Sequence, residues 1–63
     1  MNGLVESFDS HRGLGCITAG GIQYLFHCAE IVDGTRAIEI GTKVSFDVAM
    51  RFGNVEASQI TKL

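Results

Sequence analysis

The sequence contains no proline and no tryptophan, and only 19% of its 63 residues are charged. Five lysines and arginines stand against seven aspartates and glutamates, for a net charge of −2. This balance excludes the strongly basic surface that usually marks a nucleic-acid-binding protein, so any such function has to rest on local features. The low charge does not indicate disorder, because 46% of the residues are hydrophobic, unlike the composition of disordered chains. A chain of this length predicts one domain, residues 1–63, with one core.

Long apolar runs are also missing. None exceeds four residues, far short of the roughly 20 that cross a bilayer, so we predict no membrane role. Cys16 and Cys28 occur without a signal-like stretch, which predicts free thiols in a reducing cytoplasm. With His11 and His27 they offer ligand types that zinc prefers, but no Cys-x-x-Cys spacing is present, and nothing basic beyond His27 is placed to activate a thiol. We predict neither a metal site nor a cofactor.

Glycine separates short runs rich in β-branched and aromatic residues, a pattern of strands and turns rather than helices. The runs predict five strands, over residues 4–8, 14–18, 22–28, 43–50 and 55–61. Gly20 and Gly21 predict a hairpin turn between the second and third strands. Residues 29–42 lack a regular pattern and predict a long connection with one short helical turn.

Alternation within the third and fourth runs predicts two buried faces. Their members are Ile22, Tyr24, Phe26 and Cys28 in the third run, and Val44, Phe46 and Val48 in the fourth. Five short strands bury such faces only by curling into a closed or nearly closed barrel. The long connection after the third strand fits an all-β, five-stranded antiparallel OB-fold barrel. An SH3-like barrel is built from a similar number of short strands, and the sequence pattern alone does not exclude it.

Catalysis has little support in the sequence. No serine, histidine and acid form a recognisable constellation, and the acidic residues are scattered. Gly13-x-Gly15 does not predict a phosphate loop, because no helix follows it. We therefore predict that the protein is not an enzyme.

Five segments carry a resemblance to a known family. They are residues 3–8 (GLVESF), 12–18 (RGLGCIT), 24–31 (YLFHCAEI), 41–46 (GTKVSF) and 57–61 (ASQIT). In this order and at nearly this spacing they resemble the bacterial cold-shock domain, whose segments read G-x-V-K-W-F, K-G-F-G-F-I-T, V-F-V-H-F-S-A-I, G-x-x-V-x-F and A-A-N-V-T. The resemblance implies an OB barrel that binds single-stranded RNA or DNA, with the second and third segments as its RNA-binding motifs.

The departures from the family concentrate on the implied nucleic-acid face. Five of its aromatic positions are occupied by Ser7, Leu14, Cys16, Leu25 and Cys28. A sixth, in the long loop, falls at Thr35, and Glu6 replaces a lysine. Phe8 and His27 are aromatic as in the family, and Arg12 stands where the family has a basic residue. The implied core stays apolar at Val5, Ile17, Ile31, Val44, Phe46 and Ile60, and Tyr24 and Phe26 stand where the family usually has valine.

Loss of aromatic rings predicts weak binding. Each base stacked on an aromatic side chain contributes about 1–3 kcal/mol, so losing about four contacts at 1 kcal/mol each lowers affinity by roughly three decades. The predicted nucleic-acid-binding residues are Ser7, Phe8, Arg12, Leu14, Cys16, Leu25, His27 and Cys28, with Arg51 as a further phosphate contact.

Other interpretations of these residues stay open at this point. Phe8 as a cap on the barrel is as well supported as Phe8 contacting a base, and His27 as an ordinary hydrogen-bonded histidine is an alternative to a ligand contact. Leu14, Leu25 and Phe8 together could instead form an apolar patch that docks a protein partner or a second copy in a homodimer.

Overall fold

Strands account for most of the chain, and turns and one long connection account for the rest. The computed structural model describes all 63 residues. Its elements are β1 (Asn2–Asp9), β2 (Leu14–Ala19), β3 (Ile22–His27), a 3₁₀ helix (Cys28–Glu30), β4 (Lys43–Arg51) and β5 (Asn54–Lys62). The strands close into a barrel in the order β1-β2-β3-β5-β4. The predicted five-stranded OB barrel is confirmed, as is the single helical turn after the third strand.

The pairing is antiparallel everywhere except between β3 and β5. Those two strands run parallel, with Leu25 opposite Glu56, and Ile31 forms a further parallel bridge to Ile60. The predicted antiparallel barrel is therefore confirmed for four of the five strand pairs, and the β3–β5 pair is the exception. Its cause is topological, because β3 and β5 are not joined by a hairpin, and only a tight hairpin forces neighbouring strands to be antiparallel.

Two hairpins close with two-residue turns in which both central residues have positive φ. Gly20 and Gly21 have φ values of 59° and 79° in the β2–β3 turn, as the sequence predicted, and Phe52 and Gly53 have values of 51° and 78° in the β4–β5 turn. This is the geometry of the type I′ turn, whose twist matches that of the flanking strands.

The barrel interior holds the predicted core. Eleven buried side chains form one cluster: Val5, Ile17, Ala19, Tyr24, Phe26, Ile31, Ile38, Val44, Phe46, Ala57 and Ile60. The rings of Tyr24 and Phe46 meet at a centroid distance of 5.2 Å. Ile38, which lies in the long connection, is a core member that strand periodicity gave no means to predict.

Three positions differ from the predicted buried faces. Ile22 is 54% exposed, because β3 pairs with β5 only at Leu25 and the start of β3 extends past the closed part of the barrel. Val48 is 45% exposed, because β1 pairs with β4 only as far as Ser45. Cys28 is half-buried and begins the 3₁₀ helix instead of ending β3.

The only helix is the three-residue 3₁₀ helix. The chain has no helix with the length and apolar character needed to traverse a membrane.

Candidate nucleic-acid interface

Three adjacent strands present a row of outward side chains. In antiparallel pairs, directly opposite residues lie on the same side of the sheet. The registers place Ser7, Cys16 and Leu25 side by side, and Asp9, Leu14 and His27 side by side next to them. We call these six residues the outer face. A register shift between Val5 and Ser7 leaves Glu6 as a bulge residue at its margin.

The outer face opens into a shallow apolar groove. Leu25 is 57% and Leu14 38% exposed. With His27 they surround a cavity of about 240 Å³ that is also lined by Gly15, Phe26 and Glu56. This volume is below the roughly 300–1,000 Å³ of small-molecule pockets. The groove therefore suits contact with one flat apolar group better than enclosure of a ligand.

Gly15 makes the floor of this groove possible. Phe8 and Phe26 are both Cα partners of Gly15, one on each side. Their rings stack across the glycine at a centroid distance of 5.9 Å and an interplanar angle of 7°. A Cβ at Gly15 would lie 2.5 Å from Phe26 Cζ. Phe8 is half-buried and packs against the core, which favours its role as a cap on the barrel.

The two cysteines occupy different positions, and each is packed against neighbouring residues of the fold. Cys16 is in the outer row but only 8% exposed, and burial, with the nearby Glu6 carboxylate, raises the pKa of its thiol. Cys28 donates its backbone N–H to the Gly13 carbonyl at 2.7 Å, and a Cβ on Gly13 would lie 2.8 Å from Cys28 Sγ. Ligand contact by either cysteine stays a prediction, and the burial of Cys16 argues against it there. No three His, Cys, Asp or Glu side chains come together as a metal site.

The β1–β2 turn holds Arg12 at the edge of the outer face. Asp9 organises this turn: its Oδ1 accepts the backbone N–H of His11 at 3.0 Å and of Arg12 at 3.3 Å, and its carbonyl accepts the N–H of Gly13 at 2.8 Å. Arg12 is exposed, and no carboxylate lies within ion-pairing distance of its guanidinium. Of the predicted cationic contacts, Arg12 is thus the one available to a phosphate.

The other charges around the groove are mainly negative. Glu56 lines the groove itself, and Glu6 accepts a hydrogen bond from Gln23 Nε2 at 2.6 Å. Arg51 is held between two carboxylates, 3.5 Å from Glu30 and 4.0 Å from Glu56, so it is less available to a phosphate than the sequence suggested. Glu56 is a site residue that the sequence alone does not reveal, because only the parallel pairing with Leu25 brings it to the groove.

Thr35 stands where the resemblance placed a further aromatic, and it is tied into its own loop. Asp33 Oδ1 accepts hydrogen bonds from the Thr35 backbone N–H at 3.0 Å and from its hydroxyl at 2.8 Å, and Lys62 Nζ lies 3.1 Å from Asp33 Oδ2. These Thr35 bonds, followed by Lys62, lower the pKa of Asp33 to about 2. At Thr35 the long connection therefore supplies a hydrogen-bonded polar turn and no ring for a base.

Comparison with known proteins agrees with this architecture. The model of the 'Cold-shock' DNA-binding domain family matches residues 1–63. The cold shock-like protein CspB of Bacillus cereus is 37% identical over 65 residues, an alignment covering 100% of both chains. The solved structure of Drosophila Unr CSD456 has a TM-score of 0.82 at 26% identity, and the match covers 98% of this chain but only 26% of that one. The chain belongs to the cold-shock domain family.

Proposed function

We propose that this protein binds single-stranded RNA or DNA weakly, through the outer face and without catalysis. The observation that carries the proposal is the groove formed by Leu14, Leu25 and His27, which lies on the two segments that resemble the family's RNA-binding motifs. An exposed apolar groove beside one unpaired cation, Arg12, suits contact between a base and the groove and between a phosphate and the arginine.

Two properties of the groove support weak binding. Its exposed side chains are two leucines and a histidine, which lack the broad aromatic surface that stacks bases at about 1–3 kcal/mol each. Glu56 in its wall and Glu6 and Asp9 beside it repel phosphate, and Glu30 and Glu56 already neutralise Arg51. With about one net phosphate contact, the salt dependence should be shallow, with a slope of roughly −0.7 on a log–log plot for a single strand.

The test is an amide-shift titration of labelled protein with a mixed single-stranded oligonucleotide at about 50 mM salt, where electrostatic attraction is little screened. We expect localised shifts at Arg12, Leu14, Leu25 and His27. Leu25→Ser should remove most of the binding, whereas Ile40→Ser, which replaces an apolar side chain 69% exposed in the long connection, should leave it intact. Absence of shifts at millimolar oligonucleotide would refute the proposal.

Self-association or docking of a protein partner is a second candidate function. The exposure of Leu14 and Leu25 side by side over an apolar groove favours it, since contiguous apolar surface often marks a protein contact. Sedimentation equilibrium separates the two candidates. A dimer that Leu25→Ser converts to monomer supports the second, and a monomer at all concentrations argues against self-association.

A further inference from the structure

The tip of the β4–β5 hairpin carries an aromatic ring in an unusual position. Phe52 has a relative exposure of 102%, so its ring packs against nothing in the folded chain. Its φ of 51° lies in the left-handed region, which is disfavoured for a bulky residue. In a type I′ turn this first central position is typically Asn, Asp or Gly. The phenylalanine is therefore explained neither by packing nor by turn geometry.

Every other aromatic ring of the protein is used by the fold. Phe8 stacks on Phe26, and Tyr24 packs against Phe46. The last three are buried, and Phe8 packs against the core cluster. Phe52 is thus the only phenylalanine or tyrosine with both ring faces open to a ligand, and the only ring exposed on the outer face itself is the smaller imidazole of His27.

The hairpin adjoins the outer face. Glu56 of β5 is the Cα partner of Leu25 and lines the groove. Arg51, directly before Phe52, contacts both Glu56 and Glu30, and the contact with Glu30 ties the hairpin to the 3₁₀ helix that follows β3. From Glu56 to the turn is a run of three extended residues, roughly 10 Å. In OB barrels the β4–β5 loop flanks the surface that binds oligonucleotides.

We propose that Phe52 stacks on an unpaired base of a single strand that lies across the outer face. The inference rests on the proposed function and deepens it: the hairpin tip supplies an aromatic contact that the outer face has lost. A single flat ring with two free faces fits a base, because every base offers a planar surface for stacking. Met50, 69% exposed on the same hairpin, would instead take part if the tip bound a protein, so it serves as the control position.

The decisive variant is Phe52→Asn. Asn-Gly is the preferred pair for this turn, so the variant should fold at least as stably as the wild type, which thermal unfolding verifies. Oligonucleotide affinity, measured by the amide-shift titration, should nevertheless fall about 5- to 150-fold, the range that corresponds to one lost stacking contact. Met50→Thr should change affinity less than twofold. In Phe52→Trp, the only tryptophan of the chain should show quenched fluorescence on adding oligonucleotide.

Three outcomes would overturn the inference, and they are distinguishable. If Phe52→Asn binds like the wild type while Leu25 and His27 still shift, Phe52 does not contact the ligand and the proposed function stands. If the wild type does not bind at all, the proposed function and the inference both fail. If Phe52→Asn and Met50→Thr each convert a dimer to a monomer, and oligonucleotide binding is unaffected, the tip is a contact between copies of the chain.

Discussion

Replacing Gly15 with alanine tests the packing beneath the groove. The added Cβ would lie 2.5 Å from Phe26 Cζ, 2.7 Å from Phe26 Cε1 and 2.7 Å from the Ser7 carbonyl oxygen. The backbone of Gly15 is not in the left-handed region, so alanine suits the conformation and the effect is steric. Overpacking of this kind costs about 1–3 kcal/mol. Displacing Phe26 also weakens its stack with Phe8, a further 0.5–1.5 kcal/mol, roughly.

The expected loss, about 1.5–4.5 kcal/mol, is a large part of the total stability of such a domain. At roughly 0.05–0.15 kcal/mol per residue, 63 residues correspond to about 3–9 kcal/mol. Thermal unfolding followed by circular dichroism should show a midpoint lower by at least about 6 °C. Urea unfolding then gives the free energy directly.

Repeating the substitution in a Phe26→Leu variant isolates the contact between the added methyl group and the Phe26 ring. Phe26→Leu removes both ring atoms that approach Gly15, so Gly15→Ala should cost clearly less in that background, although the contact with the Ser7 carbonyl remains. If Gly15→Ala costs less than about 0.5 kcal/mol, as a neutral surface change does, the steric account is refuted. An equal cost in both backgrounds would show that Phe26 is not the group that the methyl meets.

Three further predictions follow from other positions. Leu25→Phe places a ring where the side chain is 57% exposed and should raise oligonucleotide affinity about 5- to 150-fold by fluorescence anisotropy; unchanged affinity would contradict the stacking argument. The pKa of Asp33 is lowered from 3.8 to about 2, so the stability that its ionised form contributes is present above pH 3.8 and lost as the pH falls towards 2. In Asp33→Asn the thermal midpoint should depend less on pH across that window than in the wild type. An equal pH dependence in the two proteins would argue against this role of Asp33. Gln59 has a φ of 51°, which asparagine tolerates better, so Gln59→Asn should stabilise by a few tenths of a kcal/mol in urea unfolding; a loss would show that the glutamine side chain makes a contact worth more.

The fold could be predicted because its determinants are local in sequence. The glycine-rich motifs, the hairpin turn at Gly20 and Gly21, and the alternation in β3 and β4 predict strands and a core, and Tyr24 and Phe26 are buried as expected. These features need only periodicity and turn chemistry. The family motifs then specify which barrel the strands form.

The site was predicted less completely, because its composition depends on contacts between distant segments. Glu56 joins the groove only through the parallel pairing of β5 with β3. The burial of Cys16 depends on what surrounds it, since alternation alone places it outward beside Leu25. The neutralisation of Arg51 likewise requires Glu30, which is far from it in sequence. Periodicity does not report such tertiary relations.

The single parallel pair between Leu25 and Glu56 has a consequence for the order of folding. The β1–β2, β2–β3 and β4–β5 pairs join neighbouring strands, whereas contact of β3 with β5 closes a loop of about 30 residues and pays the larger entropy cost. We therefore expect the β1–β2–β3 sheet to form before the barrel closes. The outer face would then exist early in folding, and its acidic wall at Glu56 would be added only when the hairpin that carries Phe52 docks.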